Sequence, residues 1–203
     1  MIIMKYNKII VGVDESYKRT GISIIADNEI KSINSIDFQK IKTNSEKRKI
    51  LREKLNSLII KLKPKANEII IIVEKIRLYS AGFISEDYIK SIGALIAVIV
   101  DTAAEHDIRV YSVDTRSWKS KIVGTTKSVK NRKYVNPKKY PTIKYLIKKG
   151  YEEKLKAYLP ENTKIKNYLI DSKGKYLYND DAADSACIAL YGTLSDAILH
   201  LEQ

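Results

Sequence analysis

Apolar residues follow one another almost without interruption from Lys8 to Val13, and Asp14 ends the run. A short run with no polar face predicts a central strand covered on both sides. The polar segment Glu15 to Arg19 follows as a turn, and Gly21 to Ala26 predicts a second strand. The pair Asp27-Asn28 suits a hairpin turn, and Glu29 to Phe38 alternates as a third strand. Three strands in meander order form the antiparallel half of a mixed sheet. The period then changes. Ile50, Leu51, Leu55, Leu58, Ile59 and Leu62 recur at helical spacing between charged residues, with Asn44 or Ser45 as N-cap and Pro64 as the stop. Glu68 to Glu74 reads as another buried strand ending in a carboxylate. A helix joins it to the first strand, so the two are expected to run parallel.

The loop Lys75 to Ile84 carries Arg77, Tyr79, Gly82 and Phe83. Ser85 then caps a long helix with Asp87 in its first turn. From Ile89 to Ala104 this helix is apolar on nearly every side, so it has more than one face to bury. One face covers the sheet. The other, with Gly93, Ala94 and Ala97 allowing close approach, suits a second copy of the chain, which makes the 85–106 helix the expected homodimer contact. Ile108 to Val113 is the fifth strand and ends in Asp114. Thr125 to Tyr178 holds helical pieces at Thr142 to Lys149 and Glu152 to Tyr158, and a small hairpin around Ser172 to Gly174. A final helix runs from Asp180 to about Leu201. The order β-β-β-α-β-α-β, a basic insertion, then α is that of the α/β ribonuclease H-like fold: a five-stranded mixed sheet flanked by helices. Residues 1–203 are read as one domain, with about 131–178 an elaborated basic insertion before the C-terminal helix.

Composition sharpens this. The 203 residues, 44% of them hydrophobic, suffice for one core. One cysteine, Cys187, excludes an intrachain disulfide and a cysteine zinc cluster. His106 and His200 have no partner spacing and read as structural. The longest apolar run, Ile92 to Val100, is far too short to span a membrane, and Met1 to Asp14 lacks a signal-peptide pattern. The expectation is a soluble, cytoplasmic protein. Lys and Arg number 37 against 24 Asp and Glu, a net charge of +13. From Arg116 to Lys149 there are 12 Lys or Arg and no Asp or Glu. A solvated face usually mixes signs, so a block of one sign points to a polyanion partner. Trp118, Tyr134, Tyr140 and Tyr145 within it offer flat surfaces for bases.

The acidic residues give the chemistry. Asp14 and Glu74 end two neighbouring strands, which brings both carboxylates to one edge of the sheet. Asp181 and Asp184 open the last helix, three residues apart and on one face. Negative charge at a helix N-terminus is favoured by about 0.3–1 kcal/mol in any case, which accounts for one of them on its own. Together the four repel one another unless cations neutralise them. Mg²⁺, or Mn²⁺, answers that need, and two ions about 3.5–4 Å apart can clamp an in-line phosphodiester displacement. No Ser-His-Asp, P-loop or GxGxxG pattern appears.

These motifs resemble those of the RuvC family of Holliday junction resolvases, of the phage type. Ile10-Val11-Gly12-Val13-Asp14, followed by Thr20-Gly21, resembles the family's first motif, and Val73-Glu74 the second. Asp181-Ala182-Ala183-Asp184-Ser185-Ala186 resembles its third, the most specific of them. Lys119 to Gly124 resembles the segment with a functional lysine, and Lys130 falls where the family has another. The similarity covers about residues 8–130 and 179–200. It implies a homodimeric, Mg²⁺-dependent endonuclease that nicks two strands of a four-way junction symmetrically. Asp14, Glu74, Asp181 and Asp184 are then metal ligands, with Asp180 and Asp184 as the other possible pair. Lys119 is then catalytic and contacts DNA, as do Lys121, Lys127 and Lys130. Two departures stand out. Glu15-Ser16 replaces the Pro-Gly of bacterial members. Arg77 stands where the family has its stacking aromatic, with Tyr79 and Phe83 nearby.

Three other readings compete with a junction resolvase. One is a broader nuclease for forks and flaps, another a non-catalytic DNA-binding protein on the same fold. The third, a sugar-kinase-like phosphotransferase, lacks a second glycine-rich phosphate loop.

Overall fold

A computed structural model describes residues 5–75, 86–125, 140–158, 169–170 and 176–194. Strands β1 (Tyr6–Asp14), β2 (Arg19–Ala26) and β3 (Glu29–Asp37) form the antiparallel meander. Helix α1 (Asn44–Leu62) leads to β4 (Ala66–Glu74), and helix α2 (Glu86–Ala104) to β5 (Arg109–Val113). β4 lies parallel to β1, and β5 parallel to β4, giving the order β3-β2-β1-β4-β5. This is the mixed five-stranded sheet expected of the ribonuclease H-like fold.

After β5 come the short helix α3 (Thr115–Trp118), a π-helical turn over 119–123, α4 (Pro141–Lys148) and α5 (Glu152–Leu155). Strands β6 (Lys156–Tyr158), β7 (Leu169–Ile170) and β8 (Tyr176–Tyr178) make a small antiparallel sheet, and α6 (Asp180–Tyr191) closes the described fold.

The strands are apolar on both faces because each face has its own cover. Ile9, Val11 and Val13 point to α1 and α2, where they meet Leu51, Leu55, Ile59, Leu95 and Ile99. Ile10, Ile70 and Ile72 point the other way, to α4 and α6. Tyr140, Ile143, Leu146, Leu155 and Tyr178 join that second cluster. The described parts of 131–178 thus belong to the core.

Local chemistry moves several boundaries. Thr43, not Asn44 or Ser45, caps α1, because its hydroxyl accepts from the Glu46 N–H while the Glu46 carboxylate reaches back to Thr43. Lys156 to Tyr158 pairs with β8 as a strand and so leaves the helix predicted there. The final helix ends at Tyr191 rather than near Leu201. Gly192 caps it, and the Thr193 hydroxyl takes up the Leu190 carbonyl. The expected cap Ser85 lies outside the described residues.

Two glycines set the position of α6. A Cβ on Gly12 of β1 would sit 2.2 Å from the Ser185 carbonyl oxygen and 2.8 Å from the Ala189 Cβ. One on Gly21 of β2 would sit 2.0 Å from the Asp181 carbonyl oxygen. Only glycine lets backbone approach backbone this closely. Ala182, Ala183, Ala186 and Ala189 keep the helix side of the contact equally thin. A polar staple locks the register: the Ser23 and Ser185 hydroxyls, both fully buried, lie 2.7 Å apart, and each also reaches the Ala182 carbonyl.

Overpacking of this contact sets the first prediction. Gly12→Ala costs on the order of 3 kcal/mol, at the top of the usual range, because its neighbours are backbone atoms. Thermal denaturation then shows Tm lowered by about 6–12 °C.

Candidate active site

Register brings the first two carboxylates together. β1 and β4 pair Val13 with Val73, so Asp14 and Glu74 leave the sheet side by side at its C-terminal edge. The α6 N-terminus, seated over Gly12 and Gly21, carries Asp180, Asp181 and Asp184 to the same edge. All four predicted carboxylates, Asp14, Glu74, Asp181 and Asp184, are therefore gathered, although they come from three elements.

Each has its own support. Glu74 accepts from the Thr115 hydroxyl and, at 3.0 Å, from the Trp118 indole N–H. Asp184 accepts from the Thr142 hydroxyl at 2.7 Å, and the Lys119 ammonium stands 4.0 Å from its other oxygen. Arg19 clasps both residues at the start of α6, with Nη2 2.8 Å from Asp180 and Nε 2.6 Å from Asp181. Asn179 caps the helix by accepting from the Ala182 N–H. Arg19 thus engages both alternative partners of Asp184, Asp180 and Asp181.

Negative charge is concentrated and poorly solvated. Burial raises Asp14 well above the ordinary carboxylate range, and the charges of Asp184, Glu74, Asp181 and Glu15 raise it further. Burial likewise pushes Asp184 up to about 7. Lys119 and the Thr142 hydrogen bond pull it down, while Asp180 and Glu74 push it up. Glu15 is raised well above its ordinary value, by burial first and by the Glu74 charge, while the backbone amides of Glu15 and Glu74 favour its charged form. The phenol of Tyr88, in the first turn of α2, is raised by burial and then by Glu15, Asp14 and Glu74.

Of the predicted lysines, Lys119 and Lys121 lie among the described residues. Lys119 lies beside Asp184, with its ammonium 4.9 Å from the Trp118 ring centroid. Lys121 is exposed on the π-helical turn. Lys127, Lys130, Arg77, Tyr79 and Phe83 lie outside the described residues, as does Tyr134. Trp118 and Tyr140 are not stacking surfaces: they are 0% and 5% exposed. Trp118 spends its one donor on Glu74. His106 is structural, its ring 2.6 Å from the Asn56 side-chain oxygen. Sequence reading missed Arg19, Thr115 and Thr142 as supports, and Glu15 as a member of the acidic group. The signal for Glu15 was its place directly after Asp14.

The donor set is all carboxylate oxygen, which suits a hard divalent cation. Three buried side-chain oxygens among the described residues have no hydrogen-bond partner, those of Tyr17 and Ser32 and Oε2 of Glu15, and the last belongs to this acidic group. Among the described residues no three acidic, histidine or cysteine side chains stand close enough together to enclose an ion. Several of their oxygens already accept bonds from Arg19, Thr115, Trp118 and Thr142.

No protein-family profile matches the chain, and no curated protein matches it. Solved structures do. The chain is similar to RuvC of Thermus thermophilus in complex with Holliday junction substrate, with TM-score 0.58, 13% identity and 91% of each chain covered. It is also similar to a second Thermus thermophilus RuvC structure, at 0.58 and 13%, over 96% of this chain and 98% of that one. The fold is therefore RuvC-like. No described helix is long and apolar enough to cross a membrane.

The raised Asp184 fixes a pH dependence. Its ordinary value is 3.8, so between about 4 and about 7 the folded state binds more protons than the unfolded chain. Stability then falls as pH rises through that window. Asp184→Asn removes the penalty. In EDTA at pH 8 its Tm should exceed the wild-type value by about 4 °C or more, and differential scanning calorimetry should show the gap close towards pH 4.

Proposed function

We propose that this chain is a metal-dependent DNA endonuclease that resolves four-way junctions by symmetric nicking, acting as a homodimer. The observation that carries the reading is the gathering of Asp14, Glu74, Asp181 and Asp184 at one edge of a RuvC-like sheet, with Lys119 4.0 Å from Asp184. A non-catalytic DNA binder has no use for carboxylates facing phosphate.

Asp14, Glu74, Asp184 and Asp181 are the residues that would hold divalent metal, Mg²⁺ or Mn²⁺, as one or two ions. Bound there, the metal supplies neutralisation of phosphate charge and a lowered pKa for water. The protein does the rest by position. Thr115 and Trp118 fix the Glu74 carboxylate in one orientation. Thr142 does the same for Asp184, and Arg19 for Asp181. Lys119 stands beside Asp184, where its ammonium can offset negative charge developing on a phosphate oxygen.

The basic segment supports DNA as the partner. Lys119 and Lys121 lie on its described part, and Lys127 and Lys130 extend the same run of positive charge. Arg77, Tyr79 and Phe83 are the residues proposed to meet the junction centre. The outward face of α2 supports the dimer: Val100 is 42% exposed, and a Cβ on Gly93 would meet nothing within 4 Å. We read residues 1–203 as one nuclease domain and its location as intracellular.

The test is cleavage of a labelled four-way junction, a fork and a linear duplex at one stated salt concentration, with and without Mg²⁺. Paired symmetric nicks confined to the junction are expected. Asp14→Asn and Asp184→Asn should each lower cleavage by about a thousandfold or more while junction binding persists. Equal cutting of all branched substrates would replace the reading with the broader nuclease. Full activity in either variant would remove the metal-site assignment.

A further inference from the structure

Besides Asp180, which Arg19 holds, one more acidic side chain at this edge is not used by the four-carboxylate account. Glu15 follows Asp14 directly, at the point where β1 leaves the sheet. Its side chain turns inward, and the residue is only 9% exposed. It stands in the same electrostatic group as Asp14 and Glu74. Neither Arg19 nor Lys119, the two cations that meet the other carboxylates, forms an ion pair with it. Its Oε2 is buried without any hydrogen-bond partner.

A buried carboxylate oxygen with no donor is costly, and folded proteins resolve such cases by pairing the charge or by coordinating a metal. The backbone amides of Glu15 and Glu74 reach the carboxylate but leave Oε2 without a donor, and the acidic group beside it is made of hard oxygen ligands. A surface turn has no need to bury a glutamate: residues 15–18 are a polar loop, and an outward Glu15 would be solvated at no cost.

Resting on the metal-dependent reading above, we propose that Glu15 is a further oxygen donor to the divalent-ion centre, so that this chain holds its metal with a carboxylate from the residue directly after Asp14. The donor comes from the β1–β2 turn. It gives the turn a conformation that depends on the ion.

The experiment is Mn²⁺ titration of the full chain, with free Mn²⁺ read by electron paramagnetic resonance. Wild type, Glu15→Gln and Glu15→Asp are compared. Glu15→Gln keeps the shape and removes the buried charge. It is expected to bind Mn²⁺ about tenfold more weakly or worse, and to unfold in EDTA at a Tm no lower than wild type. Glu15→Asp keeps the charge on a shorter arm and is expected to fall between the two. Mg²⁺ should also raise Tm less in Glu15→Gln than in wild type, because the gain follows the affinity. Unchanged Mn²⁺ affinity in a folded Glu15→Gln would overturn the assignment and leave the four-carboxylate centre intact. A lower Tm in EDTA with unchanged affinity in both variants would make Glu15 a structural residue. A wild-type chain that is folded but binds no Mn²⁺ at millimolar concentration would overturn the metal centre itself, and Glu15's part in it.

Discussion

Backbone-to-backbone contact between α6 and the sheet is the constraint on which the rest depends. Gly12 and Gly21 are the two places where a side chain would have to occupy the space of the helix itself. With both absent, and alanines on the facing side, the helix axis lies close to β1 and β2. The consequence is chemical as much as structural. A helix held a few ångströms further out would carry Asp181 and Asp184 away from Asp14 and Glu74, and would weaken the field that adds to burial in raising Asp14. The Ser23–Ser185 pair then fixes the helix along its own axis, since a shift by one turn would leave two buried hydroxyls without partners.

The price of gathering acids is visible in what surrounds them. Arg19 takes two carboxylates at once, Trp118 and Thr115 share a third, and Thr142 with Lys119 takes a fourth. These supports come from four different parts of the chain, and each satisfies some of the oxygen atoms without cancelling the total charge. Asp14 and Glu15 remain the least compensated. The carboxylates are oriented by these bonds, yet their charge is only partly compensated.

Much of this was legible in the sequence, for particular reasons. Asp14 and Glu74 each close a run of apolar residues too short for a helix, so both their strand ends and their common edge follow from local pattern. The acidic opening of α6 was legible from its spacing. The supports were not. Arg19 meets Asp180 across 161 residues, Trp118 meets Glu74 across 44, and Thr142 meets Asp184 across 42. No periodicity encodes a partner at that distance. The basic block misled in one respect: Trp118 and Tyr140 sit within a run of lysines, yet amphipathic packing takes the aromatics inward and leaves the charges out. The helix predicted over Glu152 to Tyr158 stops at Leu155 because pairing with β8 overrides the local pattern from Lys156 onward. At α1, three consecutive polar residues could each have capped the helix, and the reciprocal bond from Glu46 decided for Thr43.

The bond from the indole of Trp118 to Glu74 has a consequence of a different kind. This is the only tryptophan in the chain, it is fully buried, and its N–H ends on a carboxylate of the acidic edge. Indole emission responds to the charge and polarity at that nitrogen. The chain therefore carries one indole, free of background from any other tryptophan, bonded directly to a carboxylate of that edge. Whatever arrives at Glu74 is reported as a change in colour and intensity, with no label attached to the protein.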